Sequence, residues 1–130
     1  MIPMHQRAAI VFLAAALLAG CGGGETKSLE VSASAYNSVA SQTEGQPNLG
    51  AWGDVLEPGM KAIAVSSDLI DLGLDHGTEV SIEGLRGRYT VLDRMGSRHT
   101  ERIDIYMGTD VEAAREWGVK KVTITWRATP

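Results

Sequence analysis

Residues Tyr89 to Gly108 read YTVLDRMGSRHTERIDIYMG. The stretch holds two aspartates, Asp93 and Asp104, eleven positions apart. Tyr89 and Val91 lead into Asp93, and Ile103 and Ile105 bracket Asp104, so each aspartate sits in or at the end of an alternating apolar segment. Successive side chains of a strand face opposite sides. With Ile103 and Ile105 turned into a core, Asp104 faces out of it, alongside Tyr106. A carboxylate on a rigid strand, beside an aromatic ring and near a second carboxylate, is a candidate acid/base site. Most aspartates on the open face of a strand are simply solvated, and spacing alone leaves both readings standing.

The flanking sequence has the same texture. Thr78 to Glu83 alternates with Val80 and Ile82 inward, Gly84-Leu85-Arg86-Gly87 closes a hairpin, and Arg88 to Leu92 returns as the partner strand. Glu101 to Met107 is the strand bearing Asp104. Between them, Arg94, Arg98, His99 and Arg102 either neutralise the two aspartates, bind anionic groups of a substrate, or are ordinary solvated charges. Downstream, Thr109-Asp110-Val111-Glu112 has the form of a capping box, a helix runs from Asp110 to Trp117 and stops at Gly118, and Val119 to Trp126 alternates as a last strand. The short apolar stripe Ala113, Ala114, Trp117 predicts core packing for that helix.

Upstream, Leu29 to Ala33 alternates and continues towards Tyr36 and Asn37. Ser38 to Gly53 is rich in Ser, Gln, Gly, Asn and Pro and has no period, which predicts a long surface loop. Tyr36, Gln42, Thr43 and Trp52 are candidates to line a groove there, and Trp52 equally suits the end of a core. Glu57-Pro58-Gly59-Met60 is a turn, Ile63 to Ser66 a short buried strand, and Ser67 to Leu74 a helical turn stopped by Gly73 with Ser66 or Ser67 as its cap. Asp68, near that helix start, has an ordinary structural explanation in the helix dipole. His76 reads as a surface turn residue, since no second His or Cys lies at metal-ligand spacing.

The chain of 130 residues suffices for one domain, spanning residues 31–127. Its net charge is −4, and it has no basic patch interleaved with aromatics, which argues against nucleic acid. Six or seven short strands and two short helices make a mainly β protein and suit a small closed barrel, which removes sheet edges. Periodicity alone does not choose between barrel and sandwich.

The first 20 residues stand apart. Ala8 to Ala19 (AAIVFLAAALLA) is an apolar run too short to span a bilayer as a mature helix, and small residues follow it, as in a secretory signal peptide. Leu18-Ala19-Gly20-Cys21 resembles the lipobox of bacterial lipoproteins, and Cys21 is the single cysteine of the chain. The expectation is a lipid-bearing Cys21, a flexible tether over residues 21–30, and membrane attachment through acyl chains. Loss of the leader removes Arg7 and leaves the mature chain one unit more acidic. Gly22 rather than Asp after the cysteine fits sorting to the outer membrane, facing the periplasm.

Val91-Leu92-Asp93-Arg94-Met95 followed by Arg102-Ile103-Asp104-Ile105-Tyr106-Met107-Gly108 resembles the three-aspartate (3D) domain family. Ala51-Trp52-Gly53, Pro58-Gly59 and Ile63-Ala64-Val65 are similar to that family's entry into its barrel, and the resemblance covers Ala35 to about Trp126. It implies a six-stranded double-psi β-barrel like the catalytic barrel of membrane-bound lytic transglycosylases. Two departures stand out. The family's Asp-Pro after the Ala-Val pair is Ser66-Ser67 here, with Asp68 two residues later, and Gly50 stands where many relatives carry Thr.

The resemblance implies that the substrate is peptidoglycan, cleaved at the β-1,4 bond between N-acetylmuramic acid and N-acetylglucosamine to a 1,6-anhydro product, with no metal or cofactor. One carboxyl group then serves twice, first as acid to the leaving oxygen and then as base to the sugar's own C6 hydroxyl. Asp104 is expected in that role. Asp93 would raise its pKa by like-charge repulsion or stabilise positive charge on the sugar, with Asp68 as a third member. Tyr36, Gln42, Trp52 and Tyr106 are expected to touch sugar. The alternatives are a non-catalytic peptidoglycan-binding lipoprotein and a structural envelope protein. A lone barrel leaves little room for a groove-closing domain, so an envelope protein partner is also a candidate.

Overall fold

A computed structural model describes residues 24–38 and 48–128. Six strands and two helices follow one another as β1 (Thr26–Tyr36), β2 (Ala62–Val65), α1 (Ser67–Asp71), β3 (Glu79–Ile82), β4 (Arg88–Arg94), β5 (Arg102–Tyr106), α2 (Val111–Trp117) and β6 (Lys120–Arg127). The strands close into a barrel in the order β1-β5-β2-β4-β3-β6. Two pairings are parallel, β1 with β5 and β2 with β4, and the rest are antiparallel. Closure gives every strand a neighbour on both sides, so the short strands present no long free edge.

The period-2 pattern fills the interior. Val31 and Ala33, Ile63 and Val65, Val80 and Ile82, Tyr89 and Val91, Ile103 and Ile105, and Val122, Ile124 and Trp126 form one buried cluster. Most are β-branched, the side-chain shape that suits a half-buried pleated surface. A second, smaller cluster lies outside the barrel wall, where Leu56, Ala62 and Tyr106 pack with Tyr36 and Leu92. The segment from Asn48 to Met60 closes on itself through a bridge between Leu49 and Val55 and through Leu56 N–H donating to Asn48 O at 2.7 Å, and Leu56 packs it over that part of the wall.

Four expectations change. The tether is shorter than residues 21–30, because Thr26 to Glu30 already form the first half of β1, paired with Arg127 to Thr123. Polar side chains there read as linker, but the backbone bonds that make them a strand come from β6. Asp110, not Thr109, caps α2, its Oδ1 accepting Ala113 N–H at 3.0 Å. No residue of α2 is fully buried, and its stripe meets the core only at its edge, through the half-buried Trp117. Trp117 fixes it there by donating to Ala33 O at 3.1 Å. Ser66 holds the N-cap position of α1 without a side-chain cap bond; its hydroxyl instead accepts from Arg102 N–H at 3.0 Å.

Candidate active site

Asp104 sits at the middle of β5, with Ser34 of β1 beside it on one side and Ala64 of β2 on the other. Its neighbours Ile103 and Ile105 are fully buried in the barrel, so its carboxyl faces outward, as the alternation requires. Ala64 offers only a methyl group, and that leaves a gap in the outer wall. Asp93 lies across this gap on β4, opposite Ala64.

Asp93 reaches the outer face through an irregularity. Tyr89 and Val91 point inward, and strict alternation would turn Asp93 inward after them. The β2–β4 register instead steps from Ile63 opposite Val91 to Ala64 opposite Asp93, so Leu92 is an extra residue in β4. Such a bulge re-aims the side chains beyond it. The 48–60 segment then fixes the result: Asp93 Oδ1 accepts Ala51 N–H and Arg94 N–H, both at 2.8 Å.

The two carboxylates therefore share one open cleft of about 230 Å3, lined also by Tyr36, Ala64, Arg94, Met95, Gly96 and His99. It is smaller than the roughly 300–1,000 Å3 of pockets that enclose drug-sized ligands, so it suits one unit of a longer chain lying across it. A larger concavity of about 570 Å3 runs over the opposite region, from Thr26 past Ser81 and Arg88 to Thr125. Its acid, Glu79, is paired with Arg88 at 3.5 Å, and it holds nothing resembling the aspartate pair.

Burial raises the pKa of Asp104 above the ordinary carboxylate value. A hydrogen bond from the Ser34 hydroxyl at 3.1 Å and the charge of Arg102 work the other way. Asp93 also pushes it up, in the direction expected from like-charge repulsion, but less than burial does. Among the described residues neither aspartate makes an ion pair. Arg94 and His99 line the cleft, while Arg102 reaches Ser34 Oγ at 3.4 Å.

The other candidates divide. Tyr36 is in the cleft, with its hydroxyl buried and not offered to solvent. Tyr106 is only 3 % exposed, sealed under Leu56, and its hydroxyl is bonded to Ser38 Oγ at 2.7 Å, so it cannot touch sugar. Alternation turned it outward correctly; the 48–60 segment covered it. Trp52 is half-buried against the main core and stacks on His76 with ring centroids 4.9 Å apart, while His76 Nε2 lies 2.6 Å from Asp54 Oδ2. That places Trp52 at the end of the core and outside the cleft lining. Asp68 is outside it too. Its Oδ2 accepts Glu101 N–H at 2.9 Å and so braces the turn where Glu101 adopts a φ of 46°. Desolvation there is outweighed by hydrogen bonds from Ser66, Glu101 and the helix backbone, and its pKa falls below the usual value. Gln42 and Cys21 lie outside the described residues.

Sequence reasoning gave Ser34, Ala64 and Asn37 no role. Ser34 is the direct partner of Asp104. Ala64 makes the room. Asn37, 1 % exposed, donates from Nδ2 to Gly108 O at 3.1 Å and Asp110 O at 3.0 Å, tying the end of β5 to α2. A Ser in the register opposite an outward Asp was the available signal, but it needs the β1–β5 pairing to be known.

No family model matches the chain, and no curated protein sequence matches it. Among solved structures, the chain is similar to expansin from Clavibacter michiganensis. The ligand-free crystal structure superposes with a TM-score of 0.53 at 18% identity, over 80% of this chain and 52% of that one. An aspartate-to-asparagine mutant of the same expansin, in complex with cellohexaose, gives a TM-score of 0.52 at 18% identity and the same coverage. The chain thus spans about half the length of these proteins, and what it shares with them is the fold: a mainly β, closed six-stranded barrel.

Proposed function

We propose that this protein is an envelope lipoprotein that acts on peptidoglycan as a lytic transglycosylase, cleaving the β-1,4 bond between N-acetylmuramic acid and N-acetylglucosamine to leave a 1,6-anhydro end. The observation that carries the reading is Asp104: an outward carboxyl, desolvated so that it holds its proton above the ordinary value, in an open cleft with Asp93. Asp104 gives its proton to the leaving glycosidic oxygen. The resulting carboxylate takes the proton of the C6 hydroxyl as that oxygen closes on the anomeric carbon. Asp93, oriented by two backbone N–H groups, faces the positive charge that builds on the ring. The nucleophile belongs to the substrate, so a second carboxylate placed to activate water, as in inverting glycosidases, has no part here. Support comes also from the resemblance of the two aspartate segments to the three-aspartate family. Cys21 is the proposed lipid attachment point, on an outer membrane facing the periplasm.

A second reading, glycan binding without cleavage, is favoured by the likeness to an expansin solved with cellohexaose, itself a β-1,4-linked chain. One experiment separates them. Purified sacculi are incubated with the protein and with Asp104→Asn, and anhydro-muropeptides are measured by mass spectrometry. Cleavage predicts release that falls by about 10²–10⁴-fold in the variant, the usual worth of a positioned acid/base. Sacculi that retain the protein but release nothing support binding alone.

A further inference from the structure

The hydroxyl of Tyr36 is buried beside two acceptors, Asp93 and Asp104, and closes a well-formed hydrogen bond to neither. Tyr36 leaves β1 two residues past Ser34, on the same outward face, and its ring lies tilted against Tyr106 with centroids 5.5 Å apart. The hydroxyl oxygen is shut off from solvent and makes no hydrogen bond of good geometry, although Asp93 is near enough to act on it as an acceptor. Yet Tyr36 lines the cleft with Asp93 and Asp104. Buried polar groups are nearly always paired, so a donor held beside two acids with no well-formed bond to either is an incomplete network. Facing it are Asp93 of β4 and Asp104 and Tyr106 of β5. Ser34 of β1, Arg94 and His99 at the rim and Arg102 at the start of β5 complete the charged and polar surroundings. Burial, then the two aspartates, keep the phenol protonated wherever carboxylates titrate. It can only donate.

We propose that Tyr36 is a positioning residue for the aspartate pair, its hydroxyl turning to the Asp104 carboxylate once that group has given up its proton and holding it, with Ser34, for the proton's return. In the step concerned, the Asp104 proton passes to the glycosidic oxygen as the bond from C1 breaks. The C6 hydroxyl proton passes to Asp104 as the new bond from O6 to C1 forms. The Tyr36 proton stays on its own oxygen throughout. The chemistry rests on the transglycosylase reading; the contact does not. It gives Tyr36 a role other than the sugar contact expected from sequence.

The test is a carboxyl-13C NMR titration of the protein labelled at aspartate, with Asp104 assigned by its loss in Asp104→Asn. Tyr36→Phe removes a donor from the ionised form, so the Asp104 midpoint should rise by at least about half a pH unit. On sacculi, the alkaline limb of kcat/KM should move up with it, and kcat should fall while KM stays within about twofold. Tyr106→Phe keeps the ring pair but removes a hydroxyl that serves Ser38, and should leave the midpoint unmoved. An unchanged midpoint in Tyr36→Phe, or an equal rise in Tyr106→Phe, overturns the proposal. The titration needs no turnover. A midpoint shift in a protein that releases no anhydro product refutes the transglycosylase reading and leaves the contact between Tyr36 and Asp104 standing.

Discussion

Asp104 and Asp68 are both partly buried aspartates, and their surroundings push them in opposite directions. Asp104 is raised from 3.8 by burial, so the folded protein binds its proton more tightly than the unfolded chain. The stability this contributes is whole below 3.8 and is lost as pH rises through the folded value. Asp68 is lowered from 3.8, desolvation being outweighed by its hydrogen bonds. Its contribution is whole above 3.8 and is lost as pH falls through the folded value. Asp104→Asn should therefore raise Tm at about pH 7 more than at about pH 3. Asp68→Asn should lower Tm at neutral pH, by roughly 4–8 °C for about 1 kcal/mol, as the charge-assisted bond from Glu101 N–H becomes a weaker neutral one, with the deficit fading in acid. Melting curves at the two pH values read both signs. Asp68→Asn should also keep anhydro-product release within a few-fold of wild type; a loss matching that of Asp104→Asn in a folded protein would return Asp68 to the chemistry.

At the scale of elements, the site depends on a bulge and on the segment that covers it. The extra residue Leu92 turns Asp93 outward, and Gly50 comes so close to the bulge that a Cβ would press into the Leu92 carbonyl oxygen. Gly50 N–H bonds Asp54 O at 2.8 Å, and the next residue, Ala51, bonds Asp93. Backbone on both sides of the overlap leaves no flexible side chain to give way. The glycine that looked like a departure from the family pattern is thus a steric requirement of this chain. Gly50→Thr should displace the segment, cost about 1–3 kcal/mol in urea unfolding as overpacking does, and reduce cleavage of sacculi by more than that stability loss accounts for, since it unseats Asp93. A variant that unfolds at the wild-type midpoint with full activity would count against the role given to this contact.

At the scale of the whole molecule, β1 closes the barrel and also sets its distance from any anchor. The strand pairs with β6 from Thr26 onward, and Ala128 N–H reaches back to Glu25 O at 2.9 Å. Four residues, Gly22 to Glu25, separate Cys21 from Thr26. Five extended steps of chain reach at most about 18 Å. A lipid on Cys21 would hold the barrel close against the membrane instead of letting it reach far into the wall. The described residues contain no helix long and apolar enough to cross a membrane. Cys21→Ser should move the protein from the membrane to the soluble fraction, with a Tm unchanged to within about 2 °C because position 21 precedes the first strand. Membrane fractionation and a melting curve check it, and a variant that still pellets with membranes would refute the anchor.

The sequence alone determined which side chains fill the barrel. Val80 and Ile82, Ile103 and Ile105, and Val122, Ile124 and Trp126 are buried where period 2 puts them, and the same period turned Asp104 out. Alternation is a property of neighbours along one strand, so it can be read without knowing what lies beside that strand. Other features belong to pairs of segments far apart in the chain. The bulge that re-aims Asp93 exists only against β2, Tyr106 is sealed only because Leu56 packs over it, and Asp68 is structural only because Glu101 folds back to it. Which outward residues stay open to a substrate was decided by these long-range contacts, because burial of an outward face depends on what the tertiary fold lays across it.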